Sequence, residues 1–158
     1  MQELSCLKMM IRKARISDMM NVYEWRNDQL SRCMFFNNSE VKLDEHKAWF
    51  KSYLKNPNKV IYIGILEKQK VGVTRFDFSK KDNITEVSIN LNPIMRNKSL
   101  SLNLLSASVS LYLKNKNVDL RARVKNQNLP SLIIFKKAGF KKYGKSKNWQ
   151  NLILRKQN

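Results

Sequence analysis

Leu91-Asn-Pro-Ile-Met-Arg-Asn-Lys-Ser-Leu-Ser101 reads as the end of a strand, a short basic loop and the start of a helix. Arg96 and Lys98 place positive charge where a helix N-terminus offers unpaired N–H groups and the positive end of its dipole, a combination that suits a phosphate. Ser99 and Ser101 are small and polar, so their hydroxyls can cap the helix or bond a phosphate oxygen. A second stretch, Asn128-Leu-Pro-Ser-Leu-Ile-Ile-Phe-Lys-Lys-Ala-Gly-Phe140, reads as a helix capped by Asn128 and stopped by Gly139.

Working outward, residues 84–91 set Val87, Ile89 and Leu91 against Glu86, Ser88 and Asn90, a strand with one apolar and one polar face. Residues 60–67 and 70–78 flank a short polar turn and predict a hairpin. Before it, residues 7–15 predict a strand, and Ser17-Asp18 cap a helix through Asn27 with Met20, Tyr23 and Trp25 as buried candidates. Residues 28–39 predict a loop. A second helix over 43–54 uses Ala48, Phe50 and Leu54 as apolar positions and ends at Asn56-Pro57. Residues 99–113 show helical spacing at Leu100, Leu104, Ala107 and Leu111. A strand over 118–124, the helix over 128–138 and strands over 140–143 and 149–154 complete the order β, α, α, β, β, β, α, β, α, β, β.

The 158 residues suggest one domain, spanning 1–158, with no linker or repeat. Apolar content of 42% and charged content of 27% are ordinary for a globular protein. No apolar stretch nears the roughly 20 residues needed to cross a bilayer, and no apolar core follows the N-terminal basic residues, so the cytoplasm is the expected location. Cys6 and Cys33 lie in no CxxC or Cys/His cluster, which argues against a disulfide scaffold and against structural zinc. The net charge of +19 favours anionic ligands, or reflects a bias towards lysine. The basic residues are spread along the chain, which weakens the case for a nucleic-acid-binding arm.

The element order and the two quoted stretches resemble the GNAT N-acetyltransferases over residues 8–154. The family's loop reads Gln/Arg-x-x-Gly-x-Gly/Ala; here Arg96-Asn-Lys-Ser99-Leu-Ser101 has serine at both small positions. The resemblance implies an α/β fold: a twisted, mostly antiparallel mixed sheet with a splayed parallel strand pair and helices on both faces. It implies acetyl-CoA as co-substrate, with no metal. Leu91, Asn92 and Ile94 would border the pantetheine arm, and Arg96, Asn97, Lys98, Ser99, Leu100 and Ser101 would hold the pyrophosphate. Asn128, Ser131 and Phe135 would lie along the pantetheine and thiol. If a glycine position of the loop needs φ > 0, serine there costs roughly 1–2 kcal/mol.

Acetyl transfer requires a deprotonated amine, a stabilised oxyanion and a reprotonated thiolate. Many family members place a tyrosine where this chain has Phe135, which has no proton to give; water, Ser131 or Tyr143 would serve, or no acid is needed. Glu86 is the expected base, on the polar strand face with Ser88. His46, the only histidine, titrates in a useful range and is a third catalytic candidate. Glu24-Trp25-Arg26-Asn27-Asp28, Glu45-His46-Lys-Ala-Trp49-Phe50, Val71-Gly72-Val-Thr-Arg75-Phe76-Asp77 and Val87-Ser88-Ile89-Asn-Leu91-Asn-Pro93 resemble GNAT members that acetylate nucleotide-linked deoxy-amino sugars in nonulosonic-acid and surface-glycan pathways. That resemblance makes Arg26, His46, Trp49 and Arg75 contacts for the sugar or nucleotide, while Trp25 and Phe50 suit the core. Relatives that acetylate ribosomal protein N-termini share part of the pattern. Three readings follow: an acetyltransferase for a nucleotide-linked amino sugar, a protein N-terminal acetyltransferase that contacts the ribosome, and a GNAT-like binding module without catalysis. A monomer or homodimer with no membrane span is expected.

Overall fold

The computed structural model describes residues 8–144 and 146–157; Cys6 and Leu7 lie outside them. Seven strands form one sheet: β1 (Met10–Lys13), β2 (Lys59–Leu66), β3 (Gln69–Ser79), β4 (Ile84–Leu91), β5 (Asp119–Lys125), β6 (Lys141–Lys142) and β7 (Trp149–Leu154), in the spatial order β1-β2-β3-β4-β5-β7-β6. Every neighbouring pair is antiparallel except β4 and β5. The helices are α1 (Met19–Asn27), α2 (Gln29–Met34), α3 (Leu43–Lys55), α4 (Ser101–Leu113) and α5 (Leu129–Lys137). No helix among the described residues is long and apolar enough to cross a membrane.

Strand alternation sorts the side chains onto two faces. Tyr62, Phe76, Val87, Leu120, Ala122 and Leu152 pack under α4 and α5 with Leu105, Val109, Leu132 and Phe135. Ile61, Ile63 and Val73 pack on the other face under α1 and α3 with Val22, Trp25, Phe50 and Tyr53. Helix α4 comes down close on the sheet because Gly64 and Gly72 pair across β2 and β3 beneath Leu104. A Cβ on Gly72 would stand 2.6 Å from the Asn90 carbonyl oxygen and 3.0 Å from Leu104 Cδ2.

The expected order of elements is present, with corrections in detail. Residues 29–34 form a helix instead of a loop; the Asp28 carboxylate accepts from the Ser31 N–H and caps it. Its Leu30 and Met34 face solvent, so no inward apolar pattern marked it. Asp18 does not cap α1: its carboxylate is fully buried, accepts from the Arg15 N–H and pairs with Arg12 and Lys70. Met20, Ala48 and Leu54 are exposed; α3 buries the expected Phe50, together with His46 and Tyr53. Helix α4 starts at Ser101 and its buried stripe is Leu104, Leu105, Ser108, Val109 and Tyr112; Leu111 is exposed.

Candidate active site

Parallel pairing of β4 with β5 runs from Ile84↔Asp119 to Glu86↔Arg121 and stops. Beyond it β4 stays bonded to β3 and β5 to β7, so the two strands part and leave a gap. The gap points towards the N-termini of α4 and α5, which follow β4 and β5. In the loop before α4, Asn97 and Ser99 have φ of 58° and 56°, while Lys98 between them does not enter the left-handed region. Alternating handedness of this kind turns successive N–H groups to one concave side, an anion-binding nest. No side chain caps α4 at Leu100, so its first N–H groups stay open to a ligand. Asn97, Lys98 and Ser99 are exposed, and Ile94 is too. This loop fits a pyrophosphate without glycine.

Other expected cofactor residues are engaged elsewhere. The Arg96 guanidinium donates to the Asp28 carboxylate and the Ser31 hydroxyl, tying the loop to α2 instead of facing the nest. Asn92 donates through Nδ2 to the Lys70 carbonyl and accepts from the Ile94 N–H. Asn128 is the N-cap of α5, accepting from the Ser131 N–H at 3.3 Å. Phe135 is buried edge-to-face on Phe140, so it is core and not a cofactor wall. Leu91 pairs with Gly72 in the sheet, and Leu100, Ser101 and Ser131 are half-buried.

On the α1–α3 face, a cleft of about 430 Å³ lies between α3 and the strands, lined by Trp49, Tyr53, Lys59, Arg75, Asp77 and Glu86 among others. The Arg75 guanidinium sits 5.4 Å from the centre of the Trp49 ring and its Nε donates to Ser88 Oγ at 3.1 Å. The Ser88 proton is therefore free to donate elsewhere. Glu86 sits beside it, but Arg121 donates to Oε2 at 3.1 Å and Arg123 to Oε1 at 2.8 Å. A guanidinium donor sits on each oxygen, so the carboxylate is held in an ion-pair network and does not stand free as the expected base. His46 is also corrected. It is 2% exposed, its Nε2 bonds the Met19 carbonyl oxygen at 2.9 Å, and burial lowers its pKa against that bond's opposing pull. Tyr23, Trp49 and Phe50 surround it, so it is a neutral core residue.

Arg26 donates to the Asn37 carbonyl oxygen and lies over the Phe35 ring, holding the segment after α2. Burial, then the charges of Arg75 and Arg32, lower its pKa, and Nη1 of Arg26 and Nε of Arg32 are buried without partners among the described residues. Five arginines, 26, 32, 75, 121 and 123, thus gather on this face. Sequence reading found two of them. Arg121 and Arg123 were legible as alternate positions of one strand, placing both on the same side.

A family profile described as an acetyltransferase (GNAT) domain matches residues 11–154. The chain belongs to the GNAT acetyltransferases. This GNAT domain uses acetyl-CoA as its acetyl donor. Its fold is that of a Methanocaldococcus jannaschii domain of known structure, at 24% identity, TM-score 0.81, and 94% and 98% coverage of the two chains. Spermidine N-acetyltransferase from Vibrio cholerae, solved with CoA and spermine, matches at 12% identity, TM-score 0.84, and 93% and 95% coverage. An aminoglycoside acetyltransferase, AAC(6')-Ib, solved with coenzyme A, matches at 17% identity, TM-score 0.81, and 94% and 95% coverage. A search of curated protein sequences found no match.

Proposed function

We propose that this GNAT domain transfers acetyl from acetyl-CoA to the primary amine of a nucleotide-linked deoxy-amino sugar, as in surface-glycan or nonulosonic-acid biosynthesis. The observation that carries the reading is the arginine cluster on the acceptor face, with Arg75 and Arg121 lining its cleft. A diphosphate matches guanidinium geometry, and the Trp49 face suits a sugar ring. A polyamine or aminoglycoside is a polycation and would meet Lys59, Arg75 and Arg121 with no free acid: Glu86 is spent on two arginines, and Asp77 lies 3.5 Å from Lys59.

The β4–β5 gap would take the pantetheine arm, which would bring the thioester carbonyl to its apex near Ser88. The same cluster activates the amine. Like charges disfavour an ammonium ion, so the arginines lower the acceptor's pKa and the neutral amine forms by proton loss to water. Its nitrogen attacks the carbonyl carbon, the C–S bond breaks, and the proton shed by the new amide nitrogen passes through solvent to the departing thiolate. The Ser88 hydroxyl is free to donate to the oxyanion. A thiol-release assay tests the acceptor: UDP-linked 4-amino sugars should turn over at least a hundredfold faster than spermidine, kanamycin or N-terminal peptides. Turnover of peptides alone would establish the N-terminal acetyltransferase reading instead, and of polyamines alone would refute the anionic acceptor.

A further inference from the structure

A second cleft, of about 500 Å³, lies on the same face at the far end of β5. Its walls are Phe36, beyond α2, and Trp149, at the start of β7, packed edge-to-face with ring centres 5.6 Å apart and planes at 90°. Phe36 is 49% exposed yet held in place, with the Arg123 guanidinium 5.5 Å from its ring centre. The floor is built by hydrogen bonds. The Asn126 N–H donates to the Asn148 carbonyl and its Nδ2 to the Lys147 carbonyl, both at 3.1 Å. Lys125 Nζ donates to the Cys33 carbonyl, closing α2 onto the strand. The lining carries Lys125 and Lys147 and no acid.

The chemistry is that of a planar ring joined to an anion: an aromatic wall, amide groups for a ring edge, and cations at the rim. Position links it to the first cleft. Arg121, Arg123 and Lys125 occupy alternate positions of β5 and so share the face. Arg121 lines the first cleft, Lys125 the second, and Arg123 touches both Glu86 and Phe36. At about 3.3 Å per residue this basic row spans roughly 13 Å, room for a phosphate linker between two rings.

We infer that the Phe36–Trp149 cleft is a nucleoside diphosphate subsite, holding the base against the Phe36–Trp149 pair and the phosphates on Arg123, Lys125 and Lys147. It rests on the proposed acceptor and divides that acceptor between the clefts, amine-bearing sugar in the first and nucleotide in the second.

Calorimetric titration of UDP and dTDP into the full-length protein, saturated with CoA, tests it. One or both should bind and quench tryptophan fluorescence. Phe36→Ala and Lys147→Glu, both at exposed positions, should each raise the Kd at least tenfold while leaving the Kd for CoA unchanged. Failure of both nucleotides to bind, displacement of nucleotide by CoA, or wild-type binding by both variants would overturn the subsite. Nucleotide binding that the variants abolish, without turnover of any nucleotide-linked sugar, keeps the subsite and refutes the acceptor. Turnover of such a sugar with a KM that Phe36→Ala does not move keeps the acceptor and refutes the subsite.

Discussion

Ser99 carries the largest local departure from the family pattern. Its φ of 56° is a conformation that glycine adopts freely and an L-residue adopts at a cost of roughly 1–2 kcal/mol. Asn97 at 58° is a milder case, since asparagine tolerates the left-handed region better than most residues. The nest therefore survives loss of its glycines at an energetic cost borne by the free protein. Ser99→Gly should raise stability by about 1 kcal/mol in urea denaturation, with coenzyme A affinity equal or up to several-fold better by calorimetry. A tenfold loss of affinity would instead assign a phosphate contact to the Ser99 hydroxyl. At the same scale, Glu86 shows what a single sequence conceals. A glutamate on the polar face of a central strand has the placement of a base, but its role depends on Arg121 and Arg123 from a strand 35 residues away.

Among the elements, α4 has the most exacting placement, because its N-terminus faces the nest while its body rests on the paired glycines of β2 and β3. Gly72→Ala would push a methyl against the Asn90 carbonyl, which belongs to the backbone and cannot swing aside, and against Leu104. The expected cost is about 1–3 kcal/mol in stability, with a several-fold rise in the Kd for coenzyme A as α4 lifts. Full stability in the variant would mean that the sheet yields there easily. The sheet and its order were legible because alternation in β4 and the hairpin of β2 and β3 are local patterns read over a few residues. Helix α2 was not, because it buries Ser31 and turns Leu30 and Met34 outward. The one signal was Asp28 followed by Ser31, an N-cap and its N–H donor. The cofactor loop was legible in outline, but the engagement of Arg96 by Asp28 and Ser31 joins residues far apart in sequence. The Phe36–Trp149 cleft likewise needs α2 folded over the end of β5 before its parts meet.

For the whole molecule, a net charge of +19 makes pH a lever on stability, and two buried groups set where it acts. Burial lowers the pKa of His46, so between its native value and the unfolded value near 6.5 the unfolded chain binds a proton that the native protein does not. Stability therefore falls as pH drops below about 6.5, by at most about 1.4 kcal/mol per pH unit for that one proton. Burial alone would raise the pKa of Asp18, but hydrogen bonds from Arg12, Lys70 and the Arg15 N–H outweigh it and hold the carboxylate far below its ordinary range. Its contribution is complete above the unfolded value near 3.9 and is lost as pH falls further. Each carboxylate neutralised on the way also adds to the positive charge, which salt screens. Urea denaturation from pH 7 to pH 3 should thus show two falling limbs, the second shallower at high salt. His46→Gln should lower stability at pH 7 yet flatten the limb between pH 6.5 and 5. Asp18→Asn should keep that limb and weaken the one below pH 4, since the ion pairs joining β1, β3 and the turn before α1 are already gone at neutral pH. A wild-type midpoint constant from pH 7 to 5 would mean that native His46 takes up its proton as readily as the unfolded chain, and that its burial is not sealed.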